Sequence, residues 1–202
     1  MAKSLPQGEV IKLRNVRLSF PVLNKPRKFD ENNEMESPKF QACFLLDPET
    51  QADQIKACSA EINRLIKEAD LERDDMKPIV CFGKGEKRKK KDTKEVYHGY
   101  EGMYFVSSSN TKRPLLKDSK GNNLTPEEAE QILYGGCYVH ANVNFWVQDN
   151  KFGQGINCSL RGIVFQRDGE AFGSGGVSDD EFEDVLGEGE VDLGFGDDDL
   201  GL

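Results

Sequence analysis

The chain contains no C-x-x-C pair. Its five cysteines, Cys43, Cys58, Cys81, Cys137 and Cys158, are widely and irregularly spaced, and their number is odd. Neither a disulfide framework nor a clustered zinc site fits that spacing, and His98 and His140 stand near no cysteine pair. The expectation is five small, reduced, buried thiols and no metal. No apolar run approaches the roughly 18 residues that suggest a membrane-spanning helix, and Met1–Glu9 has no apolar stretch of the secretory type. A cytoplasmic protein without membrane contact is therefore expected. Also missing are the phosphate-cradling G-x-x-x-x-G-K-[ST], the nucleophile elbow G-x-S-x-G and the zinc motif H-E-x-x-H. A binding protein without catalysis or cofactor is expected.

One further lack divides the chain. From Val177 to Leu202 there is no Lys or Arg, but there are eleven Asp or Glu. Of 36 acidic and 27 basic residues in all, 25 acidic and all 27 basic ones precede it. The net charge of −9 is thus a body near +2 joined to a segment of −11. Such asymmetry marks an interaction tail on a body with another electrostatic task. Gly173-Ser174-Gly175-Gly176 reads as a flexible linker, and the acidic, Gly-rich stretch beyond it has too few apolar residues to fold alone. The division predicts a folded domain over 1–173 and a linker with an acidic tail over 174–202.

The folded part reads mainly as strands. Ile11 and Leu13 alternate in one phase and Val16, Leu18 and Phe20 in the other, so a bulge is expected between Leu13 and Val16. Pro21 and Pro26 are expected to end that strand, with a loop over 24–38. Phe40, Ala42, Phe44 and Leu46 form a second strand. Asp47-Pro48 predicts the start of a helix over 48–70, with Ile55, Cys58, Ile62, Leu65, Ile66 and Ala69 on its apolar face. A short strand at 79–82, a basic loop over 83–95 and an aromatic-rich strand over 97–107 follow. Thr125-Pro126-Glu127-Glu128 predicts a capping box. Two strands, 137–148 and 154–167, form a hairpin; in the second, Ile156, Cys158, Leu160 and Val164 are expected on one side and Ile163 and Phe165 on the other. About five strands with one or two inserted helices suit a small antiparallel barrel or sandwich, and the five-stranded OB-fold is such a barrel.

The segment Lys84–Lys94 carries Lys84, Lys87, Arg88, Lys89, Lys90, Lys91 and Lys94. Alone it could be a solvated loop or a localisation signal. Its context favours phosphate binding, because Tyr97, Tyr100 and Tyr104 follow directly. Cations that track a backbone and rings that stack on bases are the needs of an unpaired strand. The polar face of the 137–148 strand adds Tyr138, His140 and Trp146, unless another element covers it and Trp146 is core. Lys112, Arg113, Lys151 and Arg161 are further candidates, with Arg27, Lys28 and Lys39 around the first loop. Phe152, at the hairpin tip, is either a base wedge or a turn-packing ring. The lysine-rich segment and Trp146 are expected to share one trough. The tail, ending Asp197-Asp198-Asp199-Leu200-Gly201-Leu202, either competes with nucleic acid and docks Asp197, Asp198, Asp199, Leu200 and Leu202 on a basic partner, or only keeps the chain soluble.

That arrangement of barrel, Gly linker and acidic tail with an apolar tip resembles replication single-stranded DNA-binding proteins. The bacterial ones end in acidic residues and Pro-Phe, where this chain has Gly-Leu. The stretch from Gly135-Gly136-Cys137-Tyr138-Val139 through Trp146, with Arg167-Asp168-Gly169-Glu170, resembles more specifically a bacteriophage single-stranded DNA-binding family. The resemblance implies an OB-fold, sequence-independent binding of single strands in phage replication, recombination or repair, and a location in the host cytoplasm. Replication or recombination proteins are the implied tail partners, and a homo-oligomer is compatible with it. Two other functions fit the same composition: a single-strand annealing protein, and an acidic-tailed chaperone for basic proteins.

Overall fold

The computed structural model describes residues 5–28, 37–71, 79–150 and 153–172. Five long strands close on themselves: β1 (Val10–Arg27), β2 (Lys39–Leu46), β4 (Tyr104–Asn110), β6 (Tyr138–Asn150) and β7 (Gly153–Arg167). β1 pairs antiparallel with β2 and with β6, β2 pairs with β4, and β6 pairs with β7. A parallel contact between Ser109 of β4 and Ser159 of β7 completes the ring. Closure removes most of the open edge that a sheet of this size would otherwise expose. β3 (Phe82–Lys84) and β5 (Leu115–Lys117) add short strands beside β4 and β7. The expected mainly β, OB-type barrel with one or two inserted helices is thus the observed architecture, with two α-helices among the described residues.

Alternation fills the barrel. Leu13, Val16, Leu18, Phe44, Val139, Val143, Phe145 and Leu160 are all fully buried in one cluster. The bulge foreseen in β1 is present: pairing with β6 shifts between Leu13 and Val16, and Asn15 takes a left-handed φ of 53°. All five cysteines are buried and unbonded, and burial pushes the Cys58, Cys81 and Cys137 thiols up to about 12.

Four local expectations need correction. The prolines do not end β1. Past Leu18, whose backbone still bonds to Gly136 and Cys137, the strand has left that neighbour and pairs with β2, and Pro21 and Pro26 fall inside the register shifts between Ser19 and Val22 and between Val22 and Arg27. A missing N–H costs no ladder bond there. The helix α1 (Ala52–Ala69) starts four residues later than Pro48 suggested. Asp47 instead closes a turn, accepting from Thr50, Gln51 and, through its side chain, Glu49. Gln51 then fastens that turn to the β1 bulge, its Nε2 donating to the Arg14 and Asn15 carbonyls. In β7 an extra residue opposite Asn142 and Val143 flips the phase, so Ile163 is buried and Val164 is not.

The fourth correction matters most. Residues 97–103 are not strand. The segment 85–103 folds across the outer face of β2 and β4, its own shape fixed by Gly85 N–H to Met103 O, Lys90 N–H to Glu95 O and Tyr97 N–H to Arg88 O. Tyr97 and Tyr100 thereby cover Cys43, Leu45 and Phe105, which would otherwise face water. α2 (Pro126–Ile132) carries the foreseen capping box, Thr125 with Glu128, and packs against β1.

Candidate nucleic-acid interface

A groove of about 910 Å³ runs between the second half of β1, α2, the 97–100 turn and the chain's return at 171–172. Its rings are Phe20, Tyr97, His98, Tyr100, Tyr134 and Phe172, and its cations are Lys25, Arg27 and Lys90. Glu130 is the one carboxylate among its described lining residues, and it accepts from the Asn24 amide at 2.6 Å. The site therefore offers positive charge and ring faces together.

Several of these groups are held by identifiable neighbours. Phe20 sits at the register shift of β1 with a φ of 45°, a left-handed conformation that a bulky residue rarely takes. That backbone brings its ring to 5.1 Å from Tyr97 and 6.1 Å from Tyr100. Tyr100 is buried and donates to Ser19 Oγ at 3.1 Å; burial raises its hydroxyl well above the usual tyrosine range. Arg113 clamps the end of β1 by donating to the carbonyls of Leu23 and Asn24, and lies over the Phe40 ring.

The return strap, Asp168–Phe172, forms the other wall. Tyr134 Oη meets Asp168 and Gly169, and the Phe172 N–H donates to Gly135 O. Gly136 has a φ of +110°, and a Cβ there would lie 2.1 Å from Glu170 O, so only glycine lets the strap approach. Arg17 ties the pieces together. It donates to Gly136 O and Glu170 O, with its guanidinium 4.1 Å from the Phe172 ring centre and 5.8 Å from that of Tyr138. Arg167 caps the Tyr138 ring at 3.5 Å.

The sequence-predicted residues divide between two surfaces. Lys90 and Tyr97 line the groove with Arg27, and Tyr100 forms its floor. Lys84 and Lys87 are half-buried; Lys89, Lys91 and Lys94 are exposed on the same segment. Arg88 is buried, donates to Val80 O and stacks on Phe105, so it holds the segment to the barrel. Tyr104 packs on Phe82 at the main core. Lys112 is exposed beyond β4. Tyr138, His140 and Trp146 share the outer face of β6, with Arg161 exposed on neighbouring β7. Trp146 is not core: it is 38% exposed. The expectation of one shared trough is corrected, because Trp146 is eight residues from Tyr138 along β6, about 26 Å at the usual strand rise, and does not line the groove. Lys151, Phe152, Asp197, Asp198, Asp199, Leu200 and Leu202 lie outside the described residues. Among the described residues, no group of His, Cys, Asp and Glu could hold a metal ion, and no helix is long and apolar enough to cross a membrane.

Sequence reading missed Arg17, Phe20, Lys25, His98, Tyr134, Arg167 and Phe172. Phe20 looked like an alternating core residue and Phe172 like the start of the tail. No local signal shows that the two ends of the folded part meet.

His140 gives a testable electrostatic feature. Its Nδ1 accepts the Asn15 N–H at 2.9 Å, fixing the β1 bulge. Burial and then the charge of Arg14 lower its pKa below the ordinary 6.5. The folded state thus binds this proton less readily than the unfolded chain. The stabilisation is present above 6.5 and is lost as pH falls through that value toward the folded pKa. The melting temperature should drop on acidification across this window, and His140→Gln should flatten that drop. Equal slopes for the two proteins would remove the assignment.

A closed five-stranded barrel with β4 and β7 in parallel contact, carrying a ring-lined cationic groove, defines an OB-type barrel, a class that includes oligonucleotide binders. The chain belongs to the family described as Enterobacter phage Enc34, ssDNA-binding protein, whose model matches residues 9–193. "Putative protein p50" of Acyrthosiphon pisum secondary endosymbiont phage 1 is 38% identical over 179 residues, covering 87% of this chain and 93% of that one. The single-stranded DNA-binding protein from bacteriophage Enc34 in complex with ssDNA superposes with a TM-score of 0.69 at 27% identity, over 85% of this chain and 97% of that one. A C-terminal truncation of the same protein gives 0.67 at 26% identity, over 85% and 96%.

Proposed function

We propose that this chain binds single-stranded DNA without sequence preference and acts in phage DNA replication, recombination or repair. The groove carries the reading: it sets Phe20, His98, Tyr134 and Phe172 beside Lys25, Arg27 and Lys90. Rings stack on any unpaired base, each stack contributing about 1–3 kcal/mol, and duplex bases are already stacked on one another. The strained backbone at Phe20 supports the same reading, since strain of this kind concentrates at functional sites. The exposed lysines of 84–94 add long-range attraction for phosphate. The protein named for Enc34 was solved in complex with ssDNA. Residues 1–173 serve as the binding domain. The acidic segment 174–202 competes with weak ligands for the cationic groove and, once displaced by a long strand, recruits basic replication or recombination proteins.

Titration with labelled oligothymidine at two salt concentrations, against a duplex of equal length, tests this. Tight, salt-sensitive binding of the single strand over the duplex is expected. Removal of 177–202 should leave that affinity equal or higher. Loss of binding on truncation would instead favour a chaperone for basic proteins, and no binding at low salt would end the proposal.

A further inference from the structure

The outer face of β1, β6 and β7 lies outside the groove lining and has an unusual composition. In a chain with 36 acidic residues, none occurs in 10–27, 138–148 or 153–167. These spans supply three neighbouring strands, with Lys12 opposite Asn142, Asn144 opposite Ser159 and Trp146 opposite Asn157. Lys12, Asn142, Trp146, Arg161 and Arg167 are exposed. Glu9, Asp149 and Asp168 stand only at the ends of the spans. The body before Val177 holds 25 acidic residues, so a plain solvent face there would mix both signs. This one joins cations, neutral amides and a single exposed indole. It is also continuous with the groove, because Arg17 touches Phe172 on the groove side and Tyr138 on the β6 side. By contrast, the outer face of β2 and β4 is covered by the 85–103 segment.

We propose that this face is a second single-strand track: DNA leaving the groove passes the Phe172–Arg17–Tyr138–Arg167 ladder and runs along β6 to Trp146. The inference rests on the groove reading and deepens it. Lys12 and Arg161 neutralise phosphates on either side of β6, the Asn142 and Asn144 amides meet sugar or base edges, and Trp146 stacks on the last base. The groove engages short strands, and the track engages only what extends beyond it.

Trp146 is the chain's single tryptophan, so its emission reports this track alone. The full chain is titrated with labelled oligothymidines spanning roughly 4–16 nucleotides, the range that OB barrels occupy. Anisotropy reads binding and indole emission reads the track. The shortest strands that bind should leave Trp146 unquenched, and quenching should appear above a threshold length together with a rise in affinity. Trp146→Ala should weaken the longest strands about tenfold, the scale of one lost stack, and leave the shortest unchanged. Lys12→Glu with Arg161→Glu should lower the salt slope for the longest strands by about 1.4, two contacts at about 0.7 each. Full quenching by the shortest strand, or unchanged long-strand affinity and slope in both variants, would overturn the track while leaving the groove intact. A duplex that quenches Trp146 as strongly as a single strand would overturn its assignment to single strands. No binding at any length would remove the groove reading itself.

Discussion

Replacing Lys25, Arg27 and Lys90 together by alanine is expected to weaken oligothymidine binding about a hundredfold at 0.1 M salt. A phosphate contact on a single strand contributes about 0.7 to the slope of log affinity against log salt, or roughly fivefold per contact at that concentration. Three contacts multiply to about a hundred, and the slope should fall by about 2. The three cations border one groove but come from distant parts of the chain, two from the end of β1 and one from the 85–103 segment. None lies in the main core, so folding should be preserved, which a melting curve checks. An unchanged slope would show that the strand runs elsewhere.

Arg17→Ala is the second large effect, and it should appear in stability and binding alike. The guanidinium donates to two carbonyls, Gly136 O and Glu170 O, and lies beside the Tyr138 and Phe172 rings. Hydrogen bonds to a charged group contribute about 1.5–3 kcal/mol, and exposed cation–π contacts about 0.5–1 kcal/mol. Partial exposure and shared partners keep these from adding fully, so a loss of about 2–3 kcal/mol is expected. With Arg17 gone, the strap that positions Phe172 loses its anchor, and the groove loses a wall. Affinity should fall about tenfold or more, the scale of one lost base stack. Arg17→Lys should restore little, because one ammonium cannot reproduce the planar guanidinium's contact with the rings. A stable variant with unaltered affinity would show that the strap takes no part in binding.

The contrast between β6 and the 97–103 segment shows how far local pattern reaches. In β6 every second residue from Val139 to Val147 is buried, and strict alternation made that strand legible. Tyr97, Tyr100 and Phe105 have the same aromatic look, yet only Phe105 is in a strand. The tyrosines are buried because they cover the outside of another pair of strands, a reason that lies more than fifty residues away at Cys43 and Leu45. The prolines of β1 misled in the same manner. Whether a missing N–H matters depends on which neighbour has departed by that point.

Residue order alone determined the barrel's strand content, the capping box, the β1 bulge and the division of charge between body and acidic segment. Each is written within a few residues, in periodicity or in the sign of neighbouring side chains. Tertiary structure decided where the binding surfaces lie. Closure of the ring brings Phe20, near one end of the folded part, to the same groove as Phe172 at the other, and it sends Trp146 to a different face from Lys90. Side chains that meet across a closed sheet share a surface through strand pairing and register, and no local spacing along the chain encodes that meeting.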